Sequence, residues 1–290
     1  MSAPTLIHAP SDFRAACEAV RRSGARLGLV PTMGALHDGH LALVRHARAC
    51  GAGKVALTIF VNPLQFAPHE DFDRYPRTLE ADLARCRDEG VDLVFAPGRD
   101  AMYPPGFQSR VEVTGVTSRF EGAHRPGHFA GVTTVVAKLF GLAGPCVAAF
   151  GRKDYQQWKT IERMALDLDL PADVRGMDIV REAGGLAMSS RNRYLAPEER
   201  QRALGIAEGL RRAHAAFASG ERDPERLAAA ALAEIGPRVS SVDYVAVADA
   251  DTLEPIARVE ERAVVLVAAR IGKTRLIDNT VLGEDAPPKR

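Results

Sequence analysis

The sequence predicts an α/β protein, a doubly wound parallel sheet followed by a smaller α+β domain, and three observations predict it. Short runs rich in Val, Ile and Phe alternate with amphipathic stretches from residue 27 to about residue 180, the pattern of parallel strands joined by helical crossovers. The character then changes: residues 197–236 are rich in Ala, Glu and Arg, and two strand-like runs follow. The composition, 46% hydrophobic and 26% charged over 290 residues, is that of an ordinary globular chain long enough to bury a core without disulfides or a structural metal.

In chain order, LGLVPTM (27–33) predicts the first strand and Leu41 to Ala49 a helix. KVALTIFV (54–61) predicts the second strand, TLEADLARCRDEG (78–90) a helix capped by Thr78, and VDLVFAP (91–97) the third strand. HFAGVTTVVAKLFGLAG (128–144) reads as a helix, CVAAFG (146–151) as a buried strand and DYQQWKTIERMALDLDL (154–170) as a helix ended by Pro171. DVRGMDIVRE (173–182) closes this half, which places the domain boundary between 1–180 and 181–290. Pro197 is placed to start a helix, SGERDP (219–224) marks a turn, and a second helix ends at Gly236. VDYVAVAD (242–249) and RAVVLVAARI (262–271) predict two more strands, and the tail EDAPPKR is expected to be disordered. The sequence has no internal repeats or low-complexity tracts.

The charge balance, 38 basic against 37 acidic residues, gives a net charge of +1 and argues against a protein that grips phosphate backbones, so nucleic acid is not the expected partner. Only six of the basic residues are lysines, so a lysine at a ligand-competent place marks a need for a compact point charge rather than a planar fork. Cys17, Cys50, Cys86 and Cys146 form no C-x-x-C pair, which suits a reducing cytoplasm. The N-terminal MSAPTLIHAPSDFRAA lacks a basic region followed by an apolar one, and the most apolar segment, Val132 to Phe150, is interrupted by Lys138 and Pro145. The expectation is a cytoplasmic protein that spans no membrane.

Ligands of such sheets bind beyond the carboxyl ends of the strands, and four segments lie there. PTMGALHDGH (31–40) follows the first strand and runs into a helix, with His37 and His40 spaced to face one side and Gly39 between them. A helix N-terminus offers unpaired N–H groups and a positive dipole end, which favours phosphate; a metal pair lacking a third ligand and plain surface or cap histidines are the alternatives. In FVNPLQF (60–66), Asn62 and Gln65 are amides suited to a small polar ligand, or else turn chemistry at Asn-Pro. Downstream, Asp82 is either a magnesium ligand or a solvated helical carboxylate. In RFEGAHRPGHFAGVTTVV (119–136), Glu121, His124, Arg125 and His128 form a lid, an ion-pair network or a subunit contact. Lastly, Gly151 ends a strand from which Lys153, Asp154 and Gln157 follow, and AMSSRN (187–192) supplies Ser189, Ser190 and Arg191, a set suited to polyphosphate or to simple loop capping.

HDGH and the later MSSR (188–191) resemble the paired HIGH and KMSKS-type signatures of the nucleotidylyl-transferase superfamily. PTMGALHDGH, FVNPLQF, YPRT (75–78), EGAHRPGHFAGV, GRKDYQQ and VREAGGLAMSSRNRYL further resemble, in order and spacing, the motifs of the pantothenate synthetase, or pantoate–β-alanine ligase, family. That resemblance spans residues 31–195 and implies a Rossmann-like catalytic domain with a C-terminal domain covering the active site. It implies ATP-dependent condensation of pantoate with β-alanine through a pantoyl adenylate, with release of pyrophosphate and AMP. By the same resemblance the residues from Met33 and Gly34 to His40 line the ATP site, with His40 and His37 as donors to phosphate oxygens. Gln65 and Gln157 hold pantoate, Gln65 close to β-alanine. Gly151, Lys153, Asp154, Val180, Met188, Ser189, Ser190 and Arg191 contact the nucleotide, Lys153 reaching the reacting phosphates. The resemblance also implies that Mg²⁺ bridges ATP oxygens and that the protein is a homodimer. Arg152 stands where the family often has Glu, adding a positive charge beside the nucleotide, and Ala81 stands where some members carry a second acid, which leaves Asp82 as the one candidate metal ligand. Two other readings are a nucleotidylyltransferase acting on a phosphorylated small molecule, which leaves Gln65 and Gln157 unexplained, and a catalytically idle nucleotide-binding protein, which predicts erosion of the polar motif residues.

Overall fold

A computed structural model describes residues 3–68, 70 and 72–289. The chain forms two compact units. One comprises the chain to Arg152 together with Gln157–Asp178; the other comprises Lys153–Gln156 together with the chain from Ile179 onward. The second unit thus takes up residues 153–156, which the expected division at 180 and 181 assigned to the first domain.

In the first unit, strands β1 (Thr5–Ile7), β2 (Leu27–Thr32), β3 (Lys54–Ile59), β4 (Leu93–Phe95), β5 (Cys146–Gly151) and β6 (Ala172–Met177) lie in the order β1-β4-β3-β2-β5-β6, every pair parallel, and form the six-stranded sheet seen among the described residues. Helices α1 (Pro10–Arg22), α2 (Asp38–Ala49), α3 (Leu79–Asp88), α4 (Arg99–Met102), α5 (Glu121–His124), α6 (His128–Ala143) and α7 (Tyr155–Asp167) connect or follow the strands. Successive side chains leave a strand on opposite faces, and the two faces bury separate layers. Leu29, Ala56, Phe95 and Ala148 join Phe13 of α1, Phe140 of α6 and Met164 of α7, whereas Val30, Leu57, Val94 and Ala149 join Val44 and Ala47 of α2 and Cys86 of α3. Each fully buried Val, Leu or Phe contributes roughly 1.5–3 kcal/mol, which is why the inner strands are apolar on both faces.

The strand order reverses between β2 and β5, because β3 and β4 step outward on one side of β2 and the chain then returns to lay β5 on the other. Such a reversal opens a crevice at the strands' carboxyl ends. HDGH follows β2 and the Asn62 segment follows β3.

Several boundaries differ from expectation. The sheet begins at β1 rather than residue 27, since a three-residue strand shows no period and only its pairing with β4, Thr5 beside Leu93, makes it one. Helix α2 starts at Asp38 rather than Leu41, so HDGH forms its N-terminus. Strand β6 stops at Met177, short of 182, where the chain leaves the sheet.

The second unit holds α8 (Pro197–Ala218), α9 (Pro224–Ile235) and an antiparallel sheet of β7 (Ser241–Ala248), β8 (Ala263–Ile271) and β9 (Thr274–Leu282), ordered β7-β8-β9. Ile206 and Leu210 of α8 and Leu227 and Ile235 of α9 pack with Val265, Val267 and Leu276 in its core. Asp223 caps α9 by accepting from the N–H groups of Glu225 (2.8 Å) and Arg226 (3.2 Å). Strand β9 was not among the expected elements; Gly272 at φ +55° opens the two-residue turn with Lys273 that folds it back on β8. The tail is ordered rather than disordered through residue 289. Asp285 accepts from Val281 N (2.7 Å), Arg211 of α8 donates to the carbonyls of Pro288 (2.9 Å) and Lys289 (3.1 Å), and Pro288 is buried. Among the described residues no helix is long and apolar enough to cross a membrane.

Candidate active site

Beyond β2 the chain turns through Gly34 (φ +85°) and Ala35 (φ +51°), and a left-handed alanine persists only where neighbours hold it. Asp82 of α3 holds it. The N–H groups of Ala35 (3.0 Å) and Leu36 (2.8 Å) and the Thr78 hydroxyl (3.2 Å) all donate to its carboxylate, which is 2% exposed. Glycine at 34 is favoured by its φ, and a Cβ there would also crowd Asp82 Oδ2 and Ile59, each 3.0 Å away. Asp82 is therefore not the solvated carboxylate the sequence allowed: it is buried, and three donors bind its two oxygens. Thr78 stands at the N-cap of α3 as expected, but its hydroxyl serves Asp82 and makes no capping hydrogen bond to the helix.

Past this turn, His37 is the extended residue before α2 and His40 lies in its first turn, with the two rings 4.0 Å apart. His37 N–H donates to His40 Nδ1 (3.3 Å). A ring nitrogen that accepts carries no proton, so neutral His40 presents Nε2–H as a donor. Gly39 lies between the two in the first turn of α2, where the His40 N–H donates to His37 O (2.8 Å) and the N–H groups before it precede the helical ladder.

Met33 meets the segment after β3, where Gln65 Nε2 donates to its sulfur (3.2 Å). The Gln65 side chain is oriented by Asn62, whose Nδ2 donates to Gln65 Oε1 and to Gly131 O (both 3.0 Å) and whose Oδ1 accepts from Leu64 N (3.2 Å) and the Tyr103 hydroxyl (2.8 Å). Asn62 is 1% exposed with both amide ends occupied, so it supports Gln65 instead of making the direct substrate contact expected. Gly131 permits this arrangement: a Cβ there would come within 2.2 Å of Leu64 O.

The Gln65 backbone is held as well. Buried His128 lies 2.9 Å by Nδ1 from Gln65 O, while Arg125 Nη1 lies 3.0 Å from its Nε2. Because Arg125 only donates, Nε2 accepts and the His128 proton sits on Nδ1. Burial, reinforced by the Arg125 charge, pushes the His128 pKa down to about 4. Arg125 also clasps Glu70 with two hydrogen bonds (2.6 and 2.7 Å). Burial would raise the Glu70 carboxyl, but Arg125 outweighs it and holds the group below its ordinary range. With Glu121 at 4.0 Å from Arg125, the segment is an ion-pair network, one of the three alternatives the sequence left open. No sequence signal marked Tyr103 or Glu70 as members of this site; only the fold brings them to Asn62 and Arg125.

Beyond β5, Arg152 is buried, paired with Asp178 (3.1 Å) and 5.6 Å from the Trp158 ring centroid, so part of its charge is engaged within the first unit. Gly151 ends β5, and half-buried Gln157 lies in the first turn of α7.

The remaining expected residues belong to the second unit. The Nζ of Lys153 lies 3.7 Å from Asp154 Oδ1. Val180 O accepts from Met188 N (2.9 Å), closing a hairpin whose turn carries Gly184 (φ +87°) and Gly185 (φ +97°). Ser189 Oγ accepts from Arg191 N (3.2 Å), so Ser189 caps the 3-10 turn Ser190–Tyr194 and retains its own O–H as a donor.

Comparison with known proteins gives one answer. The family model described as pantoate-beta-alanine ligase matches residues 5–281. The chain is 51% identical over 284 residues to pantothenate synthetase of Myxococcus xanthus (strain DK1622), covering 97% of each chain. It is 44% identical to a crystal structure of pantothenate synthetase from Thermus thermophilus, with a TM-score of 0.89 over 95% of this chain and 98% of that one. It is 31% identical, with a TM-score of 0.81 over 98% and 100% of the two chains, to pantoate-beta-alanine ligase from Francisella tularensis in complex with beta-gamma ATP and beta-alanine. Ordered motifs, a doubly wound sheet and near-complete agreement along the chain make this protein a member of the pantoate–β-alanine ligase family.

Proposed function

We propose that the ligase reaction of this family, the ATP-dependent joining of pantoate to β-alanine, proceeds here through a pantoyl adenylate, with the roles of individual residues as follows. The chain is a ligase that forms an amide bond. Pantoate's carboxylate oxygen attacks the α-phosphorus of ATP and pyrophosphate leaves. The β-alanine amine then attacks the acyl carbon, the bond to AMP breaks and the amine loses a proton. The observation that carries this reading is the His37–His40 pair at the N-terminus of α2, where His40 presents Nε2–H and the helix adds its positive end. Negative charge grows on the departing phosphates, and donors fixed beforehand lower that barrier. Lys153, Ser189, Ser190 and Arg191 are the further phosphate donors. Gly151, Asp154, Val180 and Met188 complete the nucleotide contacts, with Met33, Gly34 and Gly39. Gln65, oriented by Asn62, and Gln157 hold pantoate.

Magnesium would enter with ATP and offset phosphate charge; the Asp82 carboxylate, buried and already accepting from three donors that hold the turn before α2, fits a supporting role better than metal ligation. A homodimer is the expected assembly, tested by the solution mass. A cytoplasmic location is supported by four free cysteines, three of them buried with thiol pKa values pushed up to about 12 by burial. The test of the mechanism is pyrophosphate exchange into ATP with pantoate and Mg²⁺ but no β-alanine. Pantoate-dependent exchange is expected, and its absence would remove the adenylate. Lys153→Ala should lower the exchange rate by about two orders of magnitude or more without loss of fold; near-normal exchange removes Lys153 from the mechanism.

A further inference from the structure

We propose that Asn279 of β9 is a positioning residue for Lys153, and that β9 thereby holds Lys153 and the Ser189–Arg191 turn in one rigid body. This rests on the adenylation reading above, in which both supply phosphate donors.

Lys153 stands only two residues past the end of β5, yet residues 153–156 belong to the C-terminal unit. Two hydrogen bonds account for that. Asn279 Nδ2 donates to the Lys153 carbonyl (2.8 Å), and the buried Tyr155 hydroxyl donates to Ala250 O (2.7 Å). Asn279 is 2% exposed. A partly buried carbonyl that loses its donor is left under-satisfied, so the Asn279 donor holds the Lys153 backbone in place.

The neighbouring strand residue holds the other segment. Asp278, 3% exposed, accepts two parallel bonds from Arg181 (2.6 and 3.0 Å), and Arg181 also donates to Gly185 O (2.9 Å) in the hairpin that leads to Ser189. Asn192, just past the serines, donates to Glu182 Oε1 (2.7 Å) and Ala187 O (3.0 Å), and Glu182 is paired with Arg200 of α8. Consecutive side chains leave a strand on opposite faces, which is how Asp278 and Asn279 reach two different segments. The lysine and the serine turn are far apart in sequence, yet the Lys153 backbone directly, and the hairpin leading to Ser189 through Arg181, are tied to adjacent residues of one strand. Donors that must meet one polyphosphate keep their spacing only if their supports move together.

The experiment is pantoate-dependent pyrophosphate exchange by the full-length protein carrying Asn279→Asp, which keeps the side-chain shape but replaces the donor, and Asn279→Ala, each made with Lys153 present and with Lys153→Ala. With Lys153 present, the exchange rate is expected to fall about tenfold to a hundredfold, while the KM for pantoate moves less than about threefold. In the Lys153→Ala background the same substitutions should do almost nothing more, because the residue they position is gone. An equal fall in both backgrounds overturns the proposal, since Asn279 then acts through the fold at large. Unchanged exchange in the Asn279 variants, where Lys153→Ala alone abolishes it, overturns the proposal and leaves the adenylation reading standing. Full exchange by Lys153→Ala alone overturns the proposal and removes Lys153 from the mechanism, while the exchange itself leaves the adenylate standing. Where the alanine variant fails to fold, the aspartate variant carries the comparison, and a change in the pantoate KM without a change in rate counts against positioning of Lys153.

Discussion

At the scale of single residues, the site depends on polar groups whose duties are internal. Asp82 shows this most clearly: its carboxylate pins the turn that delivers His37 and His40, through Ala35 N–H, Leu36 N–H and the Thr78 hydroxyl. Asp82→Asn keeps the volume but turns an amide NH₂ or a weaker acceptor toward those donors. Bonds to a charged acceptor are worth about 1.5–3 kcal/mol, so the variant should unfold at lower denaturant and show a raised KM for ATP; an unchanged midpoint and KM would contradict the assignment. His128 makes a second prediction, about pH. Its neutral form is favoured in the fold, with a pKa of about 4 against an ordinary 6.5, so the unfolded chain binds more protons between those values. Stability is therefore complete above about pH 6.5 and falls as the pH drops toward 4, by roughly 3 kcal/mol at the foot of that window. The groups around it are Arg125, which opposes protonation, and Glu70 and Glu121, which favour it. Thermal unfolding of His128→Gln should lose most of this slope, and a slope equal to that of the parent would refute the cause given.

At the scale of elements, α6 and the Asn62–Gln65 turn form a contact that sequence periodicity does not express. Gly131 is the fourth residue of α6, inside the helix where glycine is unfavourable by propensity, and its place is explained by Leu64 O pressing where a Cβ would be. Gly131→Ala should improve helix propensity yet destabilise the protein by about 1–3 kcal/mol, with a raised KM for pantoate because the Gln65 segment must shift. Calorimetry and the pantoate KM check this, and a stabilised variant would exclude the close approach. The inner strands and the long helices were legible because both faces of a buried strand and one face of a helix are apolar by necessity. β1 and β9 were not legible, the first being three residues long and the second depending on a two-residue turn at Gly272.

At the scale of the whole molecule, two core layers support the first unit and a third core the second, and each unit should answer to its own substitutions. Leu210→Ala, in the core of the second unit, should cost about 2–5 kcal/mol and lower hydrogen-exchange protection in β7–β9 more than in β2–β5. Equal loss in both sheets would mean that the chain unfolds as a single unit. The sequence by itself determined the parallel α/β plan, the family and the residue types offered to a polyphosphate, because strand burial, helix amphipathicity and phosphate chemistry each demand local patterns that can be read along the chain. Only the tertiary structure decided which polar residues face inward. Asp82 and Asn62 carry the same donors and acceptors wherever they sit, and it is the approach of distant segments, Ala35 to α3 and Gly131 to the β3 loop, that fills their hydrogen bonds and makes them supports of the site. The same holds for Lys153, whose backbone is claimed by Asn279 across most of the second half of the chain.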